Sequence, residues 1–306
     1  ASQNEKFYLY FGNGAAVKGD EAGLSYDVAT AAAFHFNETQ GLPVDATAYA
    51  TAVTAGEVFP NPASIVGKGV SLPGTQALAL ADNGALAMTA ANGWTFSTWL
   101  RIAGPTSAPQ YLLDRQANGH RLSLRVNGTQ LVAAYDGVEI SGSTPLVASQ
   151  WAHVALVASG TELKLYVNGT QAGAAAITAA DMSGPVLVGG AVDGSGLLTA
   201  DLDELKMSTV ARSADWVLAE WTLQGERNDV VVTYGGDEQA GAEAGGEEAA
   251  KGGYFGVIFQ HVFGSKDAIV EQVVIGVCAV MALIAMPDVL QGAVPVAGTV
   301  RIDQVP

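Results

Sequence analysis

Residues 151–173, WAHVALVASGTELKLYVNGTQAG, decide the fold. In the second half of this stretch, Leu163, Leu165 and Val167 alternate with more polar side chains. This period of two predicts a strand with one buried face. Asn168-Gly169 follows and supplies the positive φ angles that a tight two-residue hairpin turn requires. The stretch is therefore predicted to fold back on itself.

Two further features indicate a sheet of antiparallel strands. Residues 152–158 are apolar on both faces apart from His153, as expected of a more central strand. Residues 122–130, LSLRVNGTQ, closely repeat residues 163–171, LKLYVNGTQ. Two hairpins of one design predict a sheet built by repeated folding back, which makes its strands antiparallel.

Composition excludes several classes of protein. The chain has 306 residues, of which 49% are hydrophobic and 14% charged, and its 37 glycines favour an all-β fold over a helical bundle. The net charge of −16 argues against a nucleic-acid partner, because phosphate binding needs clustered Lys and Arg. Such acidity is typical of a soluble exported protein. The single cysteine, Cys278, cannot form an internal disulfide.

Short strands are predicted along the chain, and the strongest signal is GWTFSTWLRI at residues 93–102. Turn residues separate the strands at intervals of roughly ten residues, which is typical of a β-sandwich or barrel. One helix is predicted at residues 213–220, with Ser213 as its N-cap and Asp215 in its first turn. The other predicted strands are residues 5–11, 31–37, 65–70, 77–80, 111–114, 120–126, 131–135, 185–188 and 201–207.

Three motifs in order carry a family resemblance. They are GWTFSTWLRI at 93–102, QWAHVALVASGTELKLYVNGTQAG at 150–173 and DLDELKMSTVARSADWVLAEW at 201–221. Together they resemble the laminin-G/concanavalin-like jelly-roll family over about residues 31–222. The resemblance implies a mainly β protein, an antiparallel β-sandwich with jelly-roll topology, in which the last motif forms the final strand and a terminal turn of helix.

The domain boundaries follow from composition and from this resemblance. Residues 1–30 are predicted to be the tail of a preceding small β domain or a connector, because KFYLYFGNGAA resembles the end of such a domain in bacterial envelope proteins. Residues 31–234 form the laminin-G-like sandwich. Residues 235–253 contain five acidic residues, one basic residue and no large apolar side chain. This composition predicts an acidic flexible linker.

The chain beyond the linker is apolar. Residues 254–266 are aromatic and amphipathic and are predicted to be interfacial, whereas residues 267–286 reach the roughly 20 residues that a transmembrane helix needs. A packed helix is the alternative. Residues 253–286 resemble the start of a MotA/TolQ/ExbB-like proton-channel subunit. That resemblance implies homo-oligomers, an ExbD/TolR-like partner subunit, and a bacterial inner-membrane location with the β domain in the periplasm.

Residues 287–306 form an irregular end that does not continue the channel pattern. Bases able to encode residues 286–297 can also spell, one base out of frame, a basic continuation of the preceding helix. A frame error is therefore a hypothesis for this end. Resequencing codons 284–290 tests it, and an intact frame in a second clone would end the idea.

The candidate catalytic residues lie in the DLDE motif, Asp201, Asp203 and Glu204. Glycosidases on sandwich folds need two carboxylates about 5–10 Å apart. In a regular strand Asp201 and Asp203 share a face while Glu204 points away, so only the two aspartates are expected to converge. The spacing differs from that of sandwich enzymes, and the resemblance implies a structural role. No catalytic or cofactor-binding residue is therefore assigned.

Metal binding is the second chemistry considered. Many members of the resembled family hold Ca²⁺ at the rim of the sandwich through carboxylates and carbonyls. One such ion is compatible with this sequence, its ligands unassigned. The four histidines and one thiol give no zinc-binding spacing. His35, between two aromatic residues, is predicted to be structural. The carboxylates available for Ca²⁺ are Asp114, Asp136, Asp193 and Asp203.

Two functional hypotheses remain open. A third, that the sandwich is an enzyme, is the weakest. The first is a non-enzymatic extracytoplasmic recognition or docking domain, tethered to a proton-channel subunit that energises envelope transport. The alternative is a secreted or surface-anchored lectin-like module that binds carbohydrate or protein. Both imply a glycan or envelope-protein ligand. Tryptophans can stack on sugars, but Trp94 and Trp151 alternate with core positions and are predicted to pack instead.

Overall fold

The computed structural model describes residues 25–225 in full and, outside that range, the backbone of three strands at 5–11, 232–239 and 253–259. Among these residues the one α-helix, α1, spans Ala214–Gln224. The strands in chain order are β1 (Glu5–Phe11), β2 (Thr30–Phe34), β3 (Val53–Ala55), β4 (Phe59–Asn61), β5 (Gly69–Pro73), β6 (Leu78–Leu80), β7 (Trp94–Arg101), β8 (Gln110–Ala117), β9 (His120–Asn127), β10 (Gln130–Tyr135), β11 (Val138–Ser141), β12 (Ala152–Ala158), β13 (Glu162–Val167), β14 (Thr170–Ala176), β15 (Val186–Val188), β16 (Thr199–Ser208), β17 (Val232–Gln239) and β18 (Gly253–Phe259).

Two antiparallel sheets form a sandwich. The seven-stranded sheet has the order β11-β10-β9-β8-β15-β6-β3, and the eight-stranded sheet has the order β14-β13-β12-β7-β16-β5-β4. The eighth strand of the second sheet, β2, pairs with the later half of β16, beyond the part that pairs with β5. The predicted mainly β, antiparallel two-sheet fold is confirmed.

The hydrophobic core lies between the two sheets and is built from alternate residues of their strands. In β7, Trp94, Phe96 and Leu100 are all fully buried in this core. In β13, Leu163 and Leu165 are fully buried there as well. Each fully buried side chain of this size stabilises the fold by about 1.5–3 kcal/mol. The period of two in the sequence therefore marks the inward positions correctly.

The two hairpins with repeated sequence turn at different residues. The second turns at Asn168-Gly169, with φ angles of 50° and 73°, as predicted. The first turns one position later, at Gly128-Thr129. In the second hairpin the Asn168 side-chain oxygen accepts the His153 N–H at 2.9 Å, and the Asn168 N–H donates to the His153 carbonyl at 2.8 Å. These two bonds to β12 hold the second turn in place.

Strand β16 departs from regular geometry at Glu204. Its φ is 47°, and the register with β7 shifts between Asp203 and Lys206, which makes a β-bulge. The core residues Leu202 and Leu205 flank two consecutive residues that both lie on the outer side. The expectation that Glu204 points away from Asp203 is wrong, because strict alternation holds only where no extra residue is inserted.

Helix α1 covers part of the outer face of the eight-stranded sheet. The Trp216 N–H donates to Ser213 Oγ at 3.1 Å, so Ser213 is the N-cap and Asp215 lies in the first turn, as predicted. The helix continues past the predicted end at residue 220, to Gln224. Its buried Val217 packs in a small apolar cluster with Ala155, Val157 and Tyr166.

A three-stranded antiparallel sheet, in the order β1-β18-β17, belongs to a separate compact unit from the sandwich, which spans Ala22–Trp221. Strand β17 takes in residues 232–234, predicted as sandwich, and residues 235–239, predicted as linker. Strand β18 takes in residues 254–259 of the predicted interfacial segment. Composition did not indicate β17 because main-chain pairing needs no large apolar side chain. The other residues of both predicted segments lie outside the described part.

The predicted membrane segment also lies outside the described part of the chain. Among the residues that the structure describes, no helix has the length and apolar character to span a bilayer. The predicted transmembrane helix at 267–286, which contains Cys278, and the irregular end at 287–306 therefore stay predictions.

Replacing Gly169 by alanine is expected to destabilise the sandwich more than Gly128→Ala at the repeated turn. Both glycines have positive φ, 73° and 64°, so a side chain costs about 1 kcal/mol at either position. A Cβ at Gly169 would meet Leu218 Cδ1 and Trp221 Cε3 at 2.9 Å, whereas a Cβ at Gly128 meets open space. The clash adds about 1–2 kcal/mol. Urea unfolding followed by tryptophan fluorescence measures the difference, and equal losses would contradict the packing of α1 against this turn.

Candidate functional site

Each of the three carboxylates of the DLDE motif is held by donors from the protein itself. Asp201 Oδ2 accepts the Arg101 Nε–H at 2.8 Å, and Oδ1 accepts the hydroxyl of Ser71. Asp203 is fully buried and accepts three backbone N–H groups at 2.8–3.0 Å. Burial and the neighbouring charge of Glu204 raise the pKa of Asp203 to about 8, against the opposing effect of the three N–H donors.

The third carboxylate, Glu204, belongs to a buried ion cluster between the sheet and α1. Lys206 Nζ lies 3.4 Å from Glu204 Oε2 and 3.2 Å from Glu220 Oε1, so one ammonium on β16 joins a carboxylate on its own strand to one on the helix. Burial acts to raise the pKa of Glu220, but Lys206 and His153 outweigh it and lower that pKa to about 2. Burial acts to lower the pKa of Lys206, and the two carboxylates raise it instead.

Two histidines complete this cluster. His35 Nδ1 lies 2.7 Å from Glu204 Oε1, and the carboxylate charge raises the pKa of His35 despite its burial. Its other nitrogen, Nε2, contacts the hydroxyl of Tyr26. His153 Nε2 lies 3.5 Å from Glu220 Oε2. His35 is thus an ion-pair partner of β16 on the outer side of the sheet, and His153 lies under the helix.

This arrangement does not suit glycoside hydrolysis. A general acid and a nucleophile or base must reach a substrate from two sides of the scissile bond. Asp203 and Glu204 are only 0% and 5% exposed, and protein donors occupy them. Asp201 is more open, but it is paired with Arg101. The bulge therefore directs Asp203 and Glu204 into structural contacts.

The four aspartates considered for Ca²⁺ are not assembled into a site. The described residues contain no group of three or more acidic, histidine or cysteine side chains able to hold a metal ion. Asp114 accepts two N–H groups of Arg121 and the N–H of Val192. Asp136 contacts His120, and Asp193 accepts two bonds from Ser195 within one loop. Asp203 is held by backbone amides, as described above.

The tryptophans divide between core and surface. Trp94 is fully buried in the core, as expected. Trp151, predicted to pack in the same way, is partly exposed, and the guanidinium of Arg101 lies 4.7 Å from its ring centroid. Trp216 is also partly exposed, with the Arg212 guanidinium 3.9 Å from its ring centroid. The alternation that places Trp94 inside does not extend to Trp151, because β12 begins only at the next residue.

The local sequence does not mark Lys206, Glu220 or Arg101 as residues of a site. Alternation along β7 and β16 marks Arg101 and Lys206 only as outward residues of a strand. Their partners are determined by the register between strands and by the docking of α1, and neither leaves a signal in the local sequence. A strand lysine between two core residues is the one local hint, since it must lie where an anion can compensate it.

The sandwich is similar to known lectin-like and toxin domains. Residues 72–218 match a laminin G family described as the concanavalin A-like lectin/glucanases superfamily. The binding domain of Paraclostridial mosquitocidal protein 1 is 14% identical with a TM-score of 0.52, over 63% of this chain and 52% of that one. The botulinum neurotoxin binding domains of serotypes G and D are 9% and 13% identical with TM-scores of 0.53 and 0.51, over 64% and 66% of this chain and 51% and 53% of theirs.

These likenesses define the fold. Over residues 72–218 the sandwich is similar to concanavalin A-like jelly rolls, and the solved structures show the same fold. The chain spans about half the length of these three solved structures. No curated protein matches it. The family match ends at residue 218, so it gives no support to the MotA/TolQ/ExbB resemblance of residues 253–286.

Substituting Lys206 by methionine is expected to destabilise the sandwich by about 3 kcal/mol, because the buried carboxylates of Glu204 and Glu220 lose their shared counter-charge. Lys164→Met is the matched control, since its ion pair with Glu162 lies at the surface and should contribute less than about 1 kcal/mol. Urea unfolding of both variants measures the two free energies. Equal, small losses would mean that water already compensates the two buried carboxylates.

The pH dependence of stability should report on His35. Its pKa is raised in the folded state, so its contribution is fully present below its ordinary pKa of 6.5 and is lost as pH rises through the folded value. The stability advantage of the natural chain over His35→Gln should therefore shrink from pH 6 to pH 9. Thermal unfolding across that range tests this. A constant advantage would mean that Glu204 bonds a neutral imidazole equally well.

Proposed function

We propose that the sandwich is a non-enzymatic recognition module that binds carbohydrate in the manner of a lectin. The observation that carries this proposal is the engagement of all three DLDE carboxylates by protein donors, on a fold shared by lectins and glucanases. A glucanase needs two carboxyl groups that reach the scissile bond of a substrate. A lectin needs a surface that binds sugar, and it needs no catalytic carboxylates.

The solved structures of similar fold support a binding role. Those of the mosquitocidal protein and of the two neurotoxin serotypes are described as binding domains. Likeness at this level of identity concerns the fold alone, so the ligand class rests on the chemistry of this chain. A location outside the cytoplasm is part of the proposal, since polysaccharides and surface glycans are met there. A proton-channel tether is not part of it.

The full chain is expected to bind polysaccharide without cleaving it. Retardation in native gels cast with soluble β-glucan, arabinan, xylan or galactomannan measures binding, and release of reducing ends from the same polymers measures cleavage. We expect retardation by at least one polymer and no release of reducing ends.

Sustained cleavage that Asp201→Asn or Glu204→Gln abolishes in a folded variant would overturn the non-enzymatic assignment. Absence of retardation by every polymer, together with no binding to an array of glycans, would overturn carbohydrate recognition and favour a protein ligand.

A further inference from the structure

One part of the outer face of the eight-stranded sheet is not covered by α1. The outward residues of β7 begin with Thr95, which hydrogen-bonds the segment that precedes α1. They continue through Trp99, which lies beside His153, and end with Arg101. The apolar cluster under the helix involves the early part of this face. Arg101 and its neighbour Asp201 lie at the opposite end of this face, and the side chain of each is 23% exposed.

Strand register aligns five residues across this end, and we call them the open row: Phe59, Ser71, Asp201, Arg101 and Trp151. Phe59 pairs with Ser71, Ser71 with Asp201, and Asp201 with Arg101. Trp151 lies beside Arg101, because the next residues of the two strands, Ala152 and Leu100, are paired. Four strand spacings of about 4.8 Å make the open row about 19 Å long.

The open row has an aromatic residue at each end. Phe59 is 52% exposed on the edge strand β4, so its ring is accessible to a ligand. Trp151 is partly exposed, and the guanidinium of Arg101 stacks against it and restrains both side chains. Aromatic rings that keep one face or edge available can stack on the C–H faces of sugar rings.

The centre of the open row is polar but carries no net charge. Arg101 and Asp201 form an ion pair through two nitrogens at 2.8 Å, and each side chain is 23% exposed. Arginine has five N–H donors, so most of those of Arg101 are not used by Asp201. The Ser71 hydroxyl contacts the other carboxylate oxygen and fixes its orientation. Fixed donors and acceptors of this kind suit sugar hydroxyls, which both donate and accept.

The absence of net charge in the open row selects the class of ligand. An acidic sugar would have to compete with Asp201 for Arg101, and it would meet the field of an acidic chain. A neutral sugar meets neither obstacle. Aromatic residues at both ends and hydrogen-bonding groups between them match an extended chain of such sugars.

We propose that the open row binds a neutral oligosaccharide, laid across strands β4, β5, β16 and β7 with its ends against Phe59 and Trp151. This inference rests on the carbohydrate-binding function proposed above and names the site and the ligand class. Ser71, Asp201 and Arg101 supply the hydrogen bonds, and the aromatic residues supply the stacking.

The test uses the full chain on an array of neutral oligosaccharides printed beside their uronic-acid and sialylated counterparts. Titration calorimetry with the best neutral oligosaccharide then gives the affinities of the variants. Phe59→Ala and Trp151→Ala should each weaken binding by about tenfold, the effect of losing one stacking contact. Val138→Ala, at the exposed edge strand of the other sheet, and Trp216→Ala, which removes another arginine-stacked tryptophan, are the matched controls and should bind as the natural chain does.

Specificity gives a second, independent readout. Asp201→Asn leaves Arg101 without its counter-charge, so binding of the neutral oligosaccharide should weaken while binding of its uronic-acid counterpart should strengthen. A variant that merely disturbed folding would lose both, and the thermal midpoint of each variant distinguishes that case.

Three outcomes would overturn the proposal. Neutral binding by the natural chain that Phe59→Ala and Trp151→Ala leave unchanged would place the ligand elsewhere, with the carbohydrate-binding function intact. Binding of acidic glycans alone would exclude the open row, again leaving that function intact. Failure of the natural chain to bind any glycan would remove the carbohydrate-binding function itself.

Discussion

The position of helix α1 depends on one ammonium group that lies between two buried carboxylates. Lys206 projects from a central strand of the eight-stranded sheet and contacts Glu204 on that strand and Glu220 on the helix. Buried charges are tolerated only when they are compensated, so the helix must dock where Glu220 meets Lys206. The bulge at Glu204 makes this possible, because it places two consecutive acidic side chains on the outer side of β16. Apolar packing of Val217 then completes the contact.

The same docking divides the outer face of the sheet. Under the helix, the outward residues of β7 and β12 are buried in apolar and ionic contacts, and none of them is available to a ligand. Beyond the helix, the pair formed by Arg101 and Asp201 stays at the surface between Phe59 and Trp151. A structural acidic cluster and an open polar row thus arise from adjacent residues of one strand, β16. The members of the DLDE motif therefore have different roles.

The fold was largely predictable from sequence, and the candidate site was not. The alternation in residues 93–102 and 163–167, the turn at Asn168-Gly169 and the N-cap at Ser213 are local signals, and the structure has each of them. The orientation of Glu204 was predicted wrongly because a bulge depends on the partner strand. Trp151 was predicted to be core because its neighbours alternate, although it precedes the strand. The strand in residues 235–239 was missed because its pairing is made by the main chain.

The sequence by itself determined the class of fold and which face of each strand is buried. Those properties follow from local periodicity and from the cost of exposing apolar side chains, and both can be evaluated along a single segment. Only the tertiary structure decided that Lys206 lies between two carboxylates and that Asp201 lies opposite Arg101. Arg101 and Asp201 are 100 residues apart in the chain, and Lys206 joins its own strand to helix α1. Their energies depend on strand register, on one inserted residue and on the burial that the assembled sandwich creates, so no local pattern encodes them.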